Sequence, residues 1–132
     1  MSTRLGAAVL LLILVLAPAA RAQDSAGDVV MKLLAALRQQ DFVAAYALAS
    51  EEMHRHFSRG EFEWMVKRAH PELASSAYAF VVRTHEADGF VYVTVKVHGR
   101  NGKNVEALYE MVREGDRLKV NAMSSRQDDG VL

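Results

Sequence analysis

Five histidines, His54, His56, His70, His85 and His98, are the side chains of this chain best suited to bind a metal or move a proton near neutral pH, and their spacing argues against a shared site. His54 and His56 are two residues apart, which on a helix points them to different sides, and no HExxH-type spacing supplies a second ligand on the same face. His85 and His98 fall far apart on strands of alternating pattern and read as solvated surface residues. His70 precedes Pro71 at a helix end, where a partly positive side chain suits the dipole. No metal and no cofactor is expected. Asp41, Glu51, Glu52 and Glu61 stand where helices begin, so they read as caps and first-turn charges, not as acids and bases. The chain has no cysteine, which removes thiol and redox chemistry.

The elements that must position these residues begin after an export leader. Arg4 opens it, an apolar core runs from Leu5 to Leu16, and Ala20 and Ala22 flank Arg21, so cleavage is expected after Ala22. The apolar run is shorter than the roughly 20 residues needed to span a hydrocarbon core, and Pro18 follows it, so no stable membrane anchor is expected. The protein is read as exported, periplasmic or secreted. The remaining chain suits one domain, residues 23–127, with a loose tail over 128–132. Sixteen basic and sixteen acidic residues balance, which provides no long-range field for nucleic acid.

Three helices are expected first. Val30, Leu33, Leu34 and Leu37 recur at helical spacing behind Ser25 as N-cap, with Asp28 three positions on. Asp41 can cap a second helix presenting Phe42, Ala45, Tyr46 and Ala49, and Ser50 with Glu51 and Glu52 starts a further turn containing Met53 and Phe57. Ser58 and Glu61 form a capping box with Phe57 and Phe62 as a hydrophobic staple; Phe62, Met65, Val66 and Ala69 make the buried stripe, and Pro71 ends the helix.

Beyond Pro71 the period becomes alternating, and four strands are expected. A turn at Asp88-Gly89 sets Phe80, Val82 and Thr84 opposite Val97, Val95 and Val93. A three-residue loop, Arg100 to Gly102, sets Val105, Ala107 and Tyr109 opposite Val97, Val95 and Val93. A turn at Glu114-Gly115 sets Met111, Tyr109 and Ala107 opposite Leu118, Val120 and Ala122. One face is then almost wholly apolar, while the other opposes Lys96 to Glu106 and Glu110 to Lys119. The fold class is α+β: three helices packed on a curved four-stranded antiparallel meander.

This order of elements resembles the cone-shaped fold of the nuclear-transport-factor-2-like superfamily, which includes ketosteroid isomerases and polyketide cyclases. The segments Val30 to Tyr46, Ser50 to Phe57 and Phe62 to Pro71 are similar to an exported bacterial branch of that superfamily with no assigned function. The resemblance implies that an enzyme would project a carboxylate or histidine base into the cone beside a tyrosine or acid. The inward sheet positions carry no such base; Tyr109 and Thr84 alone bring a polar atom there. A non-catalytic domain is therefore favoured over an isomerase or cyclase.

Two binding classes remain. Tyr46, Trp64, Tyr78 and Tyr109 combine an apolar body with a polar tip; their simplest role is to fill the core, and a cone with interior space would present them to a small apolar molecule. Val81, Tyr92, Leu108, Val112 and Met123 are expected to interleave apolar groups among the charges of the outer sheet face, which favours a homodimer or another exported protein as partner. The resemblance points the same way, since members of the superfamily often pair through this sheet.

Overall fold

The computed structural model describes residues 24–128; the expected leader, and the tail after Asp128, lie outside the described residues. Ser25 and Asp28 cap each other's backbone reciprocally and start α1 (Ala26–Arg38), whose Val30, Leu33, Leu34 and Leu37 are all buried. Asp41 accepts from the Ala44 N–H and starts α2 (Phe42–Ala47). The chain turns at Leu48–Ser50, and Ser50, expected to start a further turn, caps a separate helix, α3 (Glu51–His56). Ser58 and Glu61 form the expected capping box of α4 (Arg59–Ala69), with Phe62 fully buried and Phe57 packed beside the core. Pro71 does not simply end that helix: its fixed φ suits the first helical position, and it opens a short α5 (Pro71–Ala74). Among the described residues, five helices thus stand where three were expected.

Four strands follow, β1 (Ser76–Ala87), β2 (Phe90–Gly99), β3 (Asn104–Glu114) and β4 (Arg117–Gln127), paired in that order as an antiparallel meander. The α+β class is as expected. Val93, Val95 and Val97 of β2, Val105, Ala107, Tyr109 and Met111 of β3, and Val120 of β4 meet the buried side of the helices in one core. The β2–β3 register matches the expectation, including Lys96 opposite Glu106, and Gly102 takes the left-handed position at φ +82°.

The outer two pairings differ through bulges. The Asp88-Gly89 turn is in place with both residues at positive φ, and Thr84 meets Val93. Val82 is then an extra residue between Val81 and Arg83, so Val81, not Val82, opposes Val95, and Ala79, not Phe80, opposes Val97. In β4 the turn is Gly115-Asp116, one residue later than expected, so Met111 faces Val120 and Lys119 faces Val112. A second bulge between Glu110 and Met111 sets Glu110 opposite Ala122 and Tyr109 opposite Met123. Asp128, the first residue of the expected tail, donates its N–H to the Asn104 carbonyl, and its carboxylate lies 3.4 Å from Lys96 Nζ.

No helix among the described residues is long and apolar enough to cross a membrane.

Candidate functional site

The helix-facing side of the sheet offers little chemistry. Tyr109 is fully buried, and burial pushes its phenol far above its ordinary pKa. Its hydroxyl has no hydrogen-bond partner among the described residues. Thr84 keeps its inward register opposite Val93 but is exposed. The structure adds a pair that sequence patterning missed: His70 Nδ1 lies 2.7 Å from Ser125 Oγ, since the β4 bulge turns Ser125 toward the helices opposite Ala107. Burial lowers the His70 pKa, with the Glu72 charge acting in the opposite sense. Glu72 is itself buried and accepts a 3.4 Å hydrogen bond from Asn101 Nδ2. No periodicity signals this cluster, because it joins the α4–α5 junction to β4 and to the β2–β3 loop.

The other histidines are spent locally. His56 pairs with Glu52 at 3.1 Å, His54 Nε2 lies 2.7 Å from the Tyr46 carbonyl oxygen, and His98 Nδ1 lies 2.6 Å from Asn104 Oδ1. The His85 ring stacks on Tyr92 at 5.3 Å. Among the described residues no three His, Asp or Glu side chains converge as they would around a metal ion.

The four candidate aromatics do not meet. Tyr46 donates its hydroxyl to the Phe57 carbonyl and packs its ring on His54 and Phe62, which ties α2 to the start of α4. Tyr109 is in the core. Tyr78 is outside the cone: it opposes His98 on the outer sheet face and stacks on that ring at 4.9 Å. Trp64 is 63 % exposed and, with Phe57, Gly60, Glu61 and Met65, lines an open cleft of about 290 Å³ on the outer side of α4. Arg68 covers the Trp64 ring from 5.1 Å.

Three of the five interface candidates stand on the outer sheet face as expected: Tyr92, Leu108 and Val112. The bulges move the other two. Val81 shares the register of buried Val95, and its methyls reach α1 at Gly27, where a Cβ would sit 3.4 Å from Val81 Cγ2. Met123 lies opposite Tyr109 and packs against the core. Phe80, expected inside, replaces Val81 on the outer face opposite Lys96.

That outer face mixes apolar groups with charges that are mostly paired within it, Arg83 opposite Thr94 excepted. Thr94 is nearly buried between Arg83 and Leu108, its neighbours across the strands. Lys96 pairs with Asp128, and Arg126 pairs with Glu106 at 2.8 Å. Glu110 accepts from the Tyr92 hydroxyl at 3.1 Å and from Asn121 Nδ2 at 2.9 Å. Tyr78, Phe80 and Leu108 remain exposed among these paired charges.

Comparison with known proteins follows the fold. The family described as a domain of unknown function, DUF4864, matches residues 19–131. An NTF2-like protein of unknown function from Burkholderia xenovorans is similar over 79 % of this chain and 83 % of its own, with a TM-score of 0.50 and 13 % identity. One from Cytophaga hutchinsonii is similar over 82 % and 94 %, with a TM-score of 0.47 and 18 % identity. None of the curated proteins matches. The fold is NTF2-like, with no assigned function.

Proposed function

We propose that this chain, which belongs to the DUF4864 family of domains of unknown function, is an exported interaction domain that does no chemistry of its own and pairs with a second copy through the outer face of its sheet. The observation that carries this reading is the contrast between the two sides of the sheet. Inside, apolar side chains and Tyr109 pack together, and Glu86, which shares the register of Val91, is exposed at the strand's far end and paired with Arg113. Outside, Tyr78, Phe80 and Leu108 are exposed while Lys96, Arg126, Glu106 and Glu110 are satisfied within the face. With Lys96, Arg126, Glu106 and Glu110 already paired, little like-charge repulsion opposes a meeting of this face with its own copy, and the exposed apolar groups supply contact area. Export rests on the leader pattern from Met1 to Ala22.

The test is native mass spectrometry of the protein purified from its producing cell, beside Leu108→Glu. The expected result is a dimer of chains beginning at Gln23 that Leu108→Glu dissociates. A monomer at every concentration would sink the pairing, and a mass that includes residues 1–22 would sink the export. A second reading, a carrier for a small apolar molecule, is favoured by the cleft beside Trp64. It predicts a retained small-molecule mass that Trp64→Ala removes and Leu108→Glu leaves.

A further inference from the structure

The two edges of the sheet are treated differently. At β4 the chain between α2 and α3 closes part of the edge: the Ser50 N–H donates to the Val120 carbonyl at 2.8 Å, and the Val120 N–H donates to the Leu48 carbonyl at 2.9 Å. That strand also carries Arg117, Lys119 and Arg126, charges of the kind that discourage another strand from docking. The other edge, β1, is twelve residues long, and its first seven, Ser76 to Val82, contain no charge. Tyr78 is 55 % exposed, Phe80 47 %, Val81 37 % and Val82 48 %. Four of the seven exposed large apolar side chains among the described residues thus fall within five positions of one edge strand.

We infer that β1 is a second association surface, on which the β1 strand of another copy pairs antiparallel to extend the sheet across a twofold axis. The segment is complementary to itself. The pairing is confined to Tyr78–Val81, because β1 is irregular at Ala77 and at Val82, the residues skipped in its pairing with β2. With the axis at Phe80, that ring faces the partner subunit's Phe80, and Ala79 faces the partner subunit's Val81. These are aromatic–aromatic and small–β-branched neighbours, combinations that stabilise adjacent strands. Arg83 lies beyond the bulge, so no like charges meet within the paired segment. Between the two irregularities, the backbone N–H and C=O groups that point away from β2 acquire partners in the same step. This contact goes beyond the pairing proposed above: it joins sheets side by side in one plane, and both outer faces stay open.

Val81→Lys separates the two contacts. Residue 81 projects toward the helices beside Gly27, away from the outer face, and a lysine stem can lie along α1 with its amine in solvent while placing a charge at the strand junction. Sedimentation of the protein as purified is expected to show association that Val81→Lys weakens by about tenfold or more. Hydrogen exchange of the native protein provides the second readout, which does not depend on the variant folding. Amides of residues 78–81 that point away from β2 are expected to become protected as concentration rises. Association that survives Val81→Lys and yields only to Leu108→Glu, with these amides exchanging freely at every concentration, would overturn the edge contact and leave the face contact standing. A monomer throughout would overturn both. Protection that appears only when a different extended peptide is added would overturn the choice of a second copy.

Discussion

Met123 stands opposite Tyr109 across β3 and β4, on the side of the sheet that faces the helices. The bulge at Glu110 makes this pairing, and it places a flexible apolar side chain against a tyrosine whose hydroxyl is sealed from solvent without a partner. A buried hydroxyl in that condition costs stability. Tyr109→Phe is therefore expected to raise the unfolding free energy by about 1 kcal/mol in urea titration. A loss of stability of similar size would instead reveal that the hydroxyl is satisfied by a bound molecule.

Ser50 joins three elements. Its Oγ accepts from the Met53 N–H at 3.1 Å and donates to Asn121 Oδ1 at 2.8 Å, while its backbone N–H bonds to β4. Ser50→Ala removes a helix cap and leaves a bulge side chain short of a donor, so a loss of about 1–3 kcal/mol is expected. Ser58→Ala, which removes an exposed cap alone, should cost about 1 kcal/mol. Equal losses from the two variants would show that the Ser50–Asn121 link adds nothing.

His70 should make stability depend on pH. Its pKa in the fold is depressed below the ordinary 6.5, chiefly by desolvation, so the unfolded chain takes up the proton first as pH falls. Stability from this group is then complete above about 6.5 and declines as pH drops from there to the folded-state pKa. Thermal midpoints measured from pH 8 to pH 5 should fall over that window, and His70→Gln should flatten the fall. An unchanged slope in the variant would assign the pH dependence elsewhere.

Trp64 lies on an exposed face of α4, and its ring meets Arg68 more than it meets the core. Trp64→Ala is expected to change the unfolding free energy by no more than about 0.5 kcal/mol. A larger loss in the purified protein would indicate that something occupies the cleft beside it.

Much of this was legible in the chain. Ser25 with Asp28, Asp41, Ser50, and Ser58 with Glu61 mark helix starts because a cap involves neighbours within one turn. The central β2–β3 register was legible for a similar reason: a short loop with Gly102 at its left-handed position joins two strands of clean alternation. The edge of the pattern was not. Tyr-Ala-Phe-Val-Val in β1 can alternate in either phase, and a single bulge decides which residues turn inward. Among the candidates, Tyr92, Leu108 and Val112 stand on the face that alternation gave them, whereas Val81, Met123 and Tyr78 do not, and neither does Phe80, expected inside.

The order of helices and strands, their caps, the first hairpin turn and the apolar central strands follow from the sequence alone, because local propensity and periodicity act over a few residues. The tertiary structure decided the β4 edge closed by Leu48–Ser50, the His70–Ser125 contact, and which apolar side chains of β1 face solvent. Each of these depends on a bulge, or on a contact between segments distant along the chain. Such choices are settled by packing the whole core, and no local pattern of residues records them.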